Sequence, residues 1–182
     1  ARQHLLAKGI TASFFLSDYL IEAFLGAQTN HTERIKKDVV AYNPAKGMEV
    51  TQRIQQTAPD IPFIPLRKMT PHEVAETLAS SKVYIDFGPH PGKDRIPREA
   101  AALGCCVITN KKGAAKYFED VPIPDEFKFE NEQDTAAIVA KIRGCFSHYA
   151  VENEKYAPYR AFIHSEQTRF IADLRAIFYT EV

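Results

Sequence analysis

The clearest pattern of apolar and polar positions is KVYIDFGPHPGKDRIPREAAALGCCVIT, from Lys82 to Thr109. Val83 to Phe87 is an apolar run of strand length, and a charged loop rich in Gly and Pro follows it. A short helix of small residues then runs to Gly104, and Cys105 to Thr109 is a second apolar run. Short apolar runs bounded by turn residues predict buried strands. Strand, polar loop, helix, strand is the βαβ unit of a parallel sheet, and such sheets bind ligands outside the carboxyl ends of their strands.

The rest of the chain extends this pattern. Gln3 to Lys8 reads as the end of a helix closed by Gly9, Ala12 to Ser17 as a short strand, and Asp18 to Leu25 as a helix ended by Gly26. Ala27 to Lys37 has no period and reads as a linker. The run Asp38 to Tyr42 predicts a strand, followed by a turn, Asn43 to Gly47, and a helix with Val50, Ile54 and Ala58 on one face. Ile61 to Leu66 predicts a strand that Pro62 and Pro65 confine to a place where missing donors are tolerated. Thr70, Pro71 and Glu73 make a capping box with proline in the first turn, opening a helix that turns Val74, Ala75, Leu78 and Ala79 inward.

After the central unit come a loop (Asn110 to Gly113), a short helix (Ala114 to Glu119) and an irregular stretch ending in a strand at Phe127 to Phe129. Asn131 to Phe146 predicts a helix with Ile138, Val139, Ile142 and Phe146 inward. Glu152 to Tyr179 reads as one long helix or a pair divided at Pro158. Its apolar stripe comprises Tyr156, Tyr159, Ile163, Phe170, Leu174, Ile177 and Phe178. The expected fold is therefore α/β: a doubly wound, Rossmann-like parallel sheet in a single domain with a long C-terminal helical arm. Residues 1–37 form an N-terminal segment and linker, 38–150 the α/β domain, and 151–182 the arm, packed on this domain or on another.

Composition narrows the function. In 182 residues, Lys and Arg number 23 and so do Asp and Glu, so no overall field favours nucleic acid, and none is expected as a partner. No apolar run approaches the ~18 residues of a membrane span and no signal-peptide pattern opens the chain, so a cytoplasmic protein is expected. The chain opens at Ala1 and both methionines are internal, as in a piece of something longer. Cys105, Cys106 and Cys145 lack metal-ligand spacing, and two lie in a buried strand, which points to core packing in a reducing compartment. The other histidines, His4, His31, His72, His148 and His164, are scattered, and no metal or other cofactor is expected.

Candidate chemistry gathers at the strand ends. The central loop carries His90, Lys93, Asp94, Arg95 and Arg98, with Glu99 in the first helical turn. Gly88 and Gly92 admit a close backbone approach, and the helix beginning near Pro97 offers free N–H groups to an anion. Arg95 and Arg98 would add charge-assisted bonds to phosphate oxygens, and Glu99 would accept sugar hydroxyls. Asn43 and Lys46 follow one neighbouring strand; Asn110, Lys111 and Lys112 follow another. The plainer alternative is a solvated loop in which Glu99 caps its own helix and His90 bonds locally. No GxGxxG or Walker pattern and no readable nucleophilic triad is present, so the catalytic residues are unknown.

The segment PREAAALGCCVITNKKGAAKYFED resembles the carboxy-terminal half of a retaining, glycogen-synthase-like GT-B glycosyltransferase. The resemblance lies in Glu99 with the small residues to Gly104, the strand Cys105 to Thr109 and the loop Asn110 to Gly113. Val39 to Gly47, a strand leading to a Lys-Gly pair, and the long terminal helix resemble that family too. It implies a nucleotide-diphosphate sugar as substrate, with Glu99 on its ribose, Lys46 on its diphosphate, the His90 to Arg95 loop over the sugar or diphosphate, and Pro65 to Met69 near the base. It also implies a partner, an N-terminal acceptor-binding domain not contained in this chain, and a product such as a cell-surface polysaccharide. Pro91 stands where the family has its first Glu, and Asn43 lies in the region of a family Arg. The competing expectations are a non-catalytic binding or interaction module of the same fold and a nucleotide-sugar epimerase-like enzyme.

Overall fold

A computed structural model of the chain describes residues 2–11, 13–14, 16–25 and 35–179. Its frame is a sheet of five parallel strands: β1 (Lys37–Tyr42), β2 (Phe63–Pro65), β3 (Ser81–Asp86), β4 (Cys106–Asn110) and β5 (Lys128–Phe129). The order across the sheet is β2-β1-β3-β4-β5. Direction reverses between β1 and β3, which makes the crevice at their carboxyl ends the topological switch point. Val40, Val83 and Cys106 lie in register across the middle of the sheet, all fully buried, so consecutive apolar residues cover both faces.

The helices are α1 (Arg2–Ala7), α2 (Met48–Thr57), α3 (Pro71–Ser80), α4 (Arg95–Ala102), α5 (Thr135–Ser147), α6 (Tyr149–Glu154) and α7 (Ala157–Phe178). α2 packs on α5, while α3 packs on α4 and α4 on α7. Right-handed crossovers put these two groups on opposite faces, the doubly wound arrangement. Thr70 accepts from the Glu73 N–H and Glu73 accepts from the Thr70 N–H, so the capping box at α3 is complete. The strand around Ile64 is shorter than expected and lies at the sheet's edge, where its prolines remove no inner ladder bond. Lys36 closes the far ends of two helices by donating to the carbonyls of Leu78, Ser81 and Leu103 (3.0, 2.9 and 2.7 Å). Burial lowers its pKa.

The arm packs on this domain. Tyr149 and Asn153 donate to the Gly104 carbonyl (2.6 and 2.7 Å), and the buried Tyr156 donates to that of Val107 (2.8 Å). Helix breaks off after Glu154, and Pro158 stands in the first turn of α7, so the proline opens the second helix rather than bending one long one. Of the predicted stripe, Tyr156, Tyr159 and Ile163 are buried, but Phe178 is exposed.

Several expected elements are shorter or absent. Residues 13, 14, 16 and 17 form no strand, and residues 12 and 15 lie outside the described residues. Between Asp18 and Leu25 there is one 3-10 turn, Glu22–Phe24, and Gly26 and most of the linker are likewise outside the description. Leu20 and Phe24 are buried at a helical spacing, but Ser17 is held by Asp173 of α7 and Asp18 by Arg98 of α4, and these distant partners draw the chain out of a helix. Ser17 donates through N–H and Oγ to Asp173 (3.0 and 2.6 Å). The helix expected at Ala114 is a 3-10 turn, Gly113–Lys116, and that expected from Asn131 starts at Thr135, where Asp134 caps it through the Ala137 N–H (3.0 Å).

Candidate functional site

Three strand-end loops meet at the switch point, and glycine lets them touch. Gly47 adopts φ 59°, and a Cβ there would stand 2.6 Å from the Phe87 carbonyl oxygen and 2.7 Å from the Gly88 nitrogen. Gly113 adopts φ 53°, and a Cβ there would stand 2.8 Å from the His90 carbonyl carbon. The loops after β1 and β4 thus both press their backbones against the loop after β3. Ala114 N–H donates to the His90 carbonyl (2.8 Å), and Asn110, fully buried, donates to Gly88 O (2.9 Å) and to Glu132 (2.7 Å). Asn43 turns its own loop by accepting from the Ala45 N–H (3.0 Å).

A chain of polar groups runs through the middle of this junction. Lys46 Nζ lies 2.8 Å from Asp94 Oδ1, and Asp94 Oδ2 lies 2.8 Å from His90 Nδ1. His90 Nε2 faces Asp86 Oδ1 at 3.9 Å. The Asp86 carboxylate accepts from Gly88 N–H (3.1 Å) and from the Tyr84 hydroxyl (3.2 Å). Burial raises the Asp86 pKa, opposed by the charge of His90 and the Gly88 hydrogen bond. Burial and the adjacent Asp86 also push the Tyr84 hydroxyl well up. His90 is 1 % exposed and is buried among carboxylates. Asp86, His90 and Asp94 bring one ligand atom each within 4.8 Å of one another, a grouping that includes none of the other histidines.

Asp94 is also the N-cap residue of α4, yet its side chain makes no capping bond, being turned to Lys46 and His90. Gly47 at the start of α2 offers no side chain either. α3 and α5 carry side-chain caps, whereas α2, α4, α6 and α7 do not, and of these α2 and α4 begin at the switch point. Neither N-cap residue puts a side chain on the first N–H groups of its helix, where the positive dipole end lies.

The other predicted residues divide. Glu99 is buried on the second turn of α4, with Arg95 Nε 3.8 Å away; burial raises its pKa, and the charges of Arg95 and Arg98 offset part of that. Arg95 itself is exposed. Gly92 is exposed, and a Cβ there would meet nothing within 4 Å, so no close approach within the chain calls for it. Lys111 pairs with Asp125 (2.8 Å) and Lys112 with Glu132. Arg98, expected on phosphate, is instead fully buried and turned into the body of the domain. It holds Asp18 with two bonds (3.0 and 2.7 Å), Glu166 with one (2.9 Å) and the Asp94 carbonyl (3.4 Å). Lys93 pairs with the same buried Glu166 and lies over the Phe162 ring. Beside Lys93 opens a cavity of about 570 Å³ lined by Phe118, Pro122, Tyr159, Phe162 and Glu166. Lys93 is the one predicted site residue that borders it.

Sequence reasoning passed over Asp86 and Glu166. Asp86 carried a signal, a carboxylate within the apolar run VYIDF, whereas Glu166 looked like any charged residue of a helix. Cys105, Cys106 and Cys145 are free and buried, and burial pushes the Cys105 thiol up to about 11, consistent with packing rather than reactivity. Among the described residues no helix is long and apolar enough to cross a membrane. No known family model and no curated protein matches the chain.

Proposed function

We propose that the chain is the donor-binding domain of a glycosyltransferase and holds the diphosphate of a nucleotide sugar at the β1/β3 switch point. The observation that carries this reading is the pair of helices without side-chain caps, α2 and α4, at that crevice. Two helix N-termini converging on one point suit a diphosphate, with N–H groups for its oxygens and dipoles for its charge. Lys46 is placed to share itself between Asp94 and a phosphate, and Arg95 is exposed beside the same helix start. Glu99 is the carboxylate assigned to the ribose hydroxyls. In the reaction these groups would stabilise the diphosphate as it leaves the sugar. An acceptor-binding domain would complete the enzyme, and exposed Phe14, Leu16 and Ile21 offer it apolar surface.

A second reading, a non-catalytic binding module, is favoured by one observation. Lys46, Lys93, Arg98, Lys111 and Lys112 each already have a carboxylate partner within the chain. Calorimetry with UDP, GDP and ADP in the presence of EDTA distinguishes binding from none. Lys46→Ala and Glu99→Ala should each weaken the preferred nucleotide about tenfold, the size of one charge-assisted bond. Unchanged affinity in both variants would remove the site assignment. Radiolabelled nucleotide sugars and a full-length protein then separate transfer from the module: turnover that requires an acceptor supports the transferase.

A further inference from the structure

The pair His90 and Asp86 has a geometry that nucleotide binding does not explain. Asp94 occupies Nδ1 of the imidazole at 2.8 Å, which leaves Nε2 pointing at Asp86 Oδ1. Nε2 is buried and has no hydrogen-bond partner. When Nδ1 carries the proton, the lone pair of Nε2 and a carboxylate oxygen face each other, two acceptors with nothing between them. Their separation of 3.9 Å is too wide for a hydrogen bond. Two ligands that each stand roughly 2.0–2.1 Å from a tetrahedral ion are about 3.3–3.4 Å apart, so the pair closes by about half an ångström when an ion enters between them.

We propose that His90 Nε2 and Asp86 Oδ1 bind a divalent first-row transition-metal ion of the Zn²⁺ or Mn²⁺ kind. Imidazole nitrogen with carboxylate oxygen favours these ions over Mg²⁺ and Ca²⁺, which take oxygen ligands. Asp94 is the positioning residue: its carboxylate on Nδ1 fixes the tautomer and raises the basicity of Nε2, the usual arrangement behind a metal-bound histidine. The carboxylate of Asp86 is aimed by Tyr84 and by Gly88 N–H, so both ligands are held before the ion arrives. The loop that carries His90 is in turn held by the Ala114 N–H on its carbonyl. Charge agrees with the assignment. Two carboxylates, Asp86 and Asp94, face one ammonium, Lys46, and an imidazole that is neutral when it ligates. Water completes the shell. The site shares the Lys46–Asp94 pair with the nucleotide reading, and metal titration without nucleotide tests it separately.

The test is calorimetry of the metal-free chain with ZnCl₂ and MnCl₂, without any nucleotide, alongside the absorption spectrum with Co²⁺. One saturable equivalent, and a Co²⁺ spectrum with d–d bands of an imidazole-bound ion, are expected. Asp86→Asn keeps the side chain's shape and should weaken the ion at least tenfold; Asp94→Asn should weaken it about 10–100-fold and alter the Co²⁺ bands. His72→Ala, which removes the exposed pair with Glu76, should change nothing. Absence of saturable binding and of Co²⁺ bands in the wild-type chain would overturn the proposal, leaving a buried water between the two acceptors. So would Asp86→Asn and Asp94→Asn chains, shown folded by circular dichroism, that bind as the wild type does. Absence of nucleotide binding both with and without EDTA, in a chain that binds Zn²⁺ or Mn²⁺, would count against the nucleotide reading alone.

Discussion

Replacing Arg98 with alanine should destabilise the domain by about 3 kcal/mol, at the lower end of the range for breaking a buried ion pair. The magnitude follows from which partners are left without water. Arg98 is fully buried and joins three elements: α4 on which it sits, the N-terminal segment through Asp18, and α7 through Glu166. Asp18 is 59 % exposed and rehydrates when the guanidinium goes, so its share of the loss is small. Glu166 is 1 % exposed and does not. It keeps Lys93, which is why the lower end of the range applies. The double variant Arg98→Met with Glu166→Leu should recover most of the loss, because it removes the buried charges together and Lys93 can turn to solvent. Urea denaturation followed by far-ultraviolet circular dichroism is the measurement, since the chain has no tryptophan.

The same pair has a pH signature. Burial pushes the Asp18 pKa up, but the hydrogen bond and charge of Arg98 outweigh it and the net shift is downward from 3.8. A carboxyl lowered in the folded state adds stability above its unfolded pKa and loses it as the pH falls through the folded one. The loss on acidification below 3.8 should therefore shrink in Arg98→Ala. A variant within about 1 kcal/mol of wild type, or a double variant no more stable than the single, would refute the reasoning.

Gly47→Ala should cost roughly 2–3 kcal/mol, combining a left-handed backbone angle with overpacking against the Phe87 carbonyl. It should also weaken nucleotide binding by parting the loops; an unchanged denaturation midpoint would contradict this. Thr70→Ala should cost about 1 kcal/mol through loss of the α3 cap and leave ligand binding untouched, as thermal unfolding and calorimetry would show. Glu99 has a raised pKa, so the folded state binds its proton more tightly and stability falls as pH rises from 4.5. Glu99→Gln should therefore be more stable than wild type near neutrality, with an advantage that fades toward pH 4.5. An advantage that stays constant across urea midpoints from acid to neutral pH would sink that assignment.

The features legible in the sequence were those set by near neighbours along the chain. Consecutive apolar residues at Val39–Tyr42, Val83–Ile85 and Cys106–Ile108 have one good solution, a strand covered on both faces. The α3 cap involves residues three apart, and Pro158 opens α7 by its own geometry, so no distant contact was needed for either. The crossing of loops was legible only in part: close approach was expected at Gly88 and Gly92, whereas Gly47 and Gly113 are the left-handed positions that let the loops touch, and Gly92 meets nothing.

What the sequence could not supply was the choice of partner for each charge. Arg98 looks like a phosphate ligand until Asp18 and Glu166, 80 and 68 residues away, close on it. The same long-range bonds, with Ser17 on Asp173, draw residues 18–21 out of the helix that the spacing of Leu20 and Phe24 imitates. Asp86, His90 and Asp94 are near in sequence, yet they span a strand end, a loop and a helix cap. Their ligand atoms meet only because neighbouring loops press that segment into one shape. Local propensity acts over a turn or two, whereas pairing among many carboxylates and cations is decided by burial, which exists only once the tertiary structure has formed.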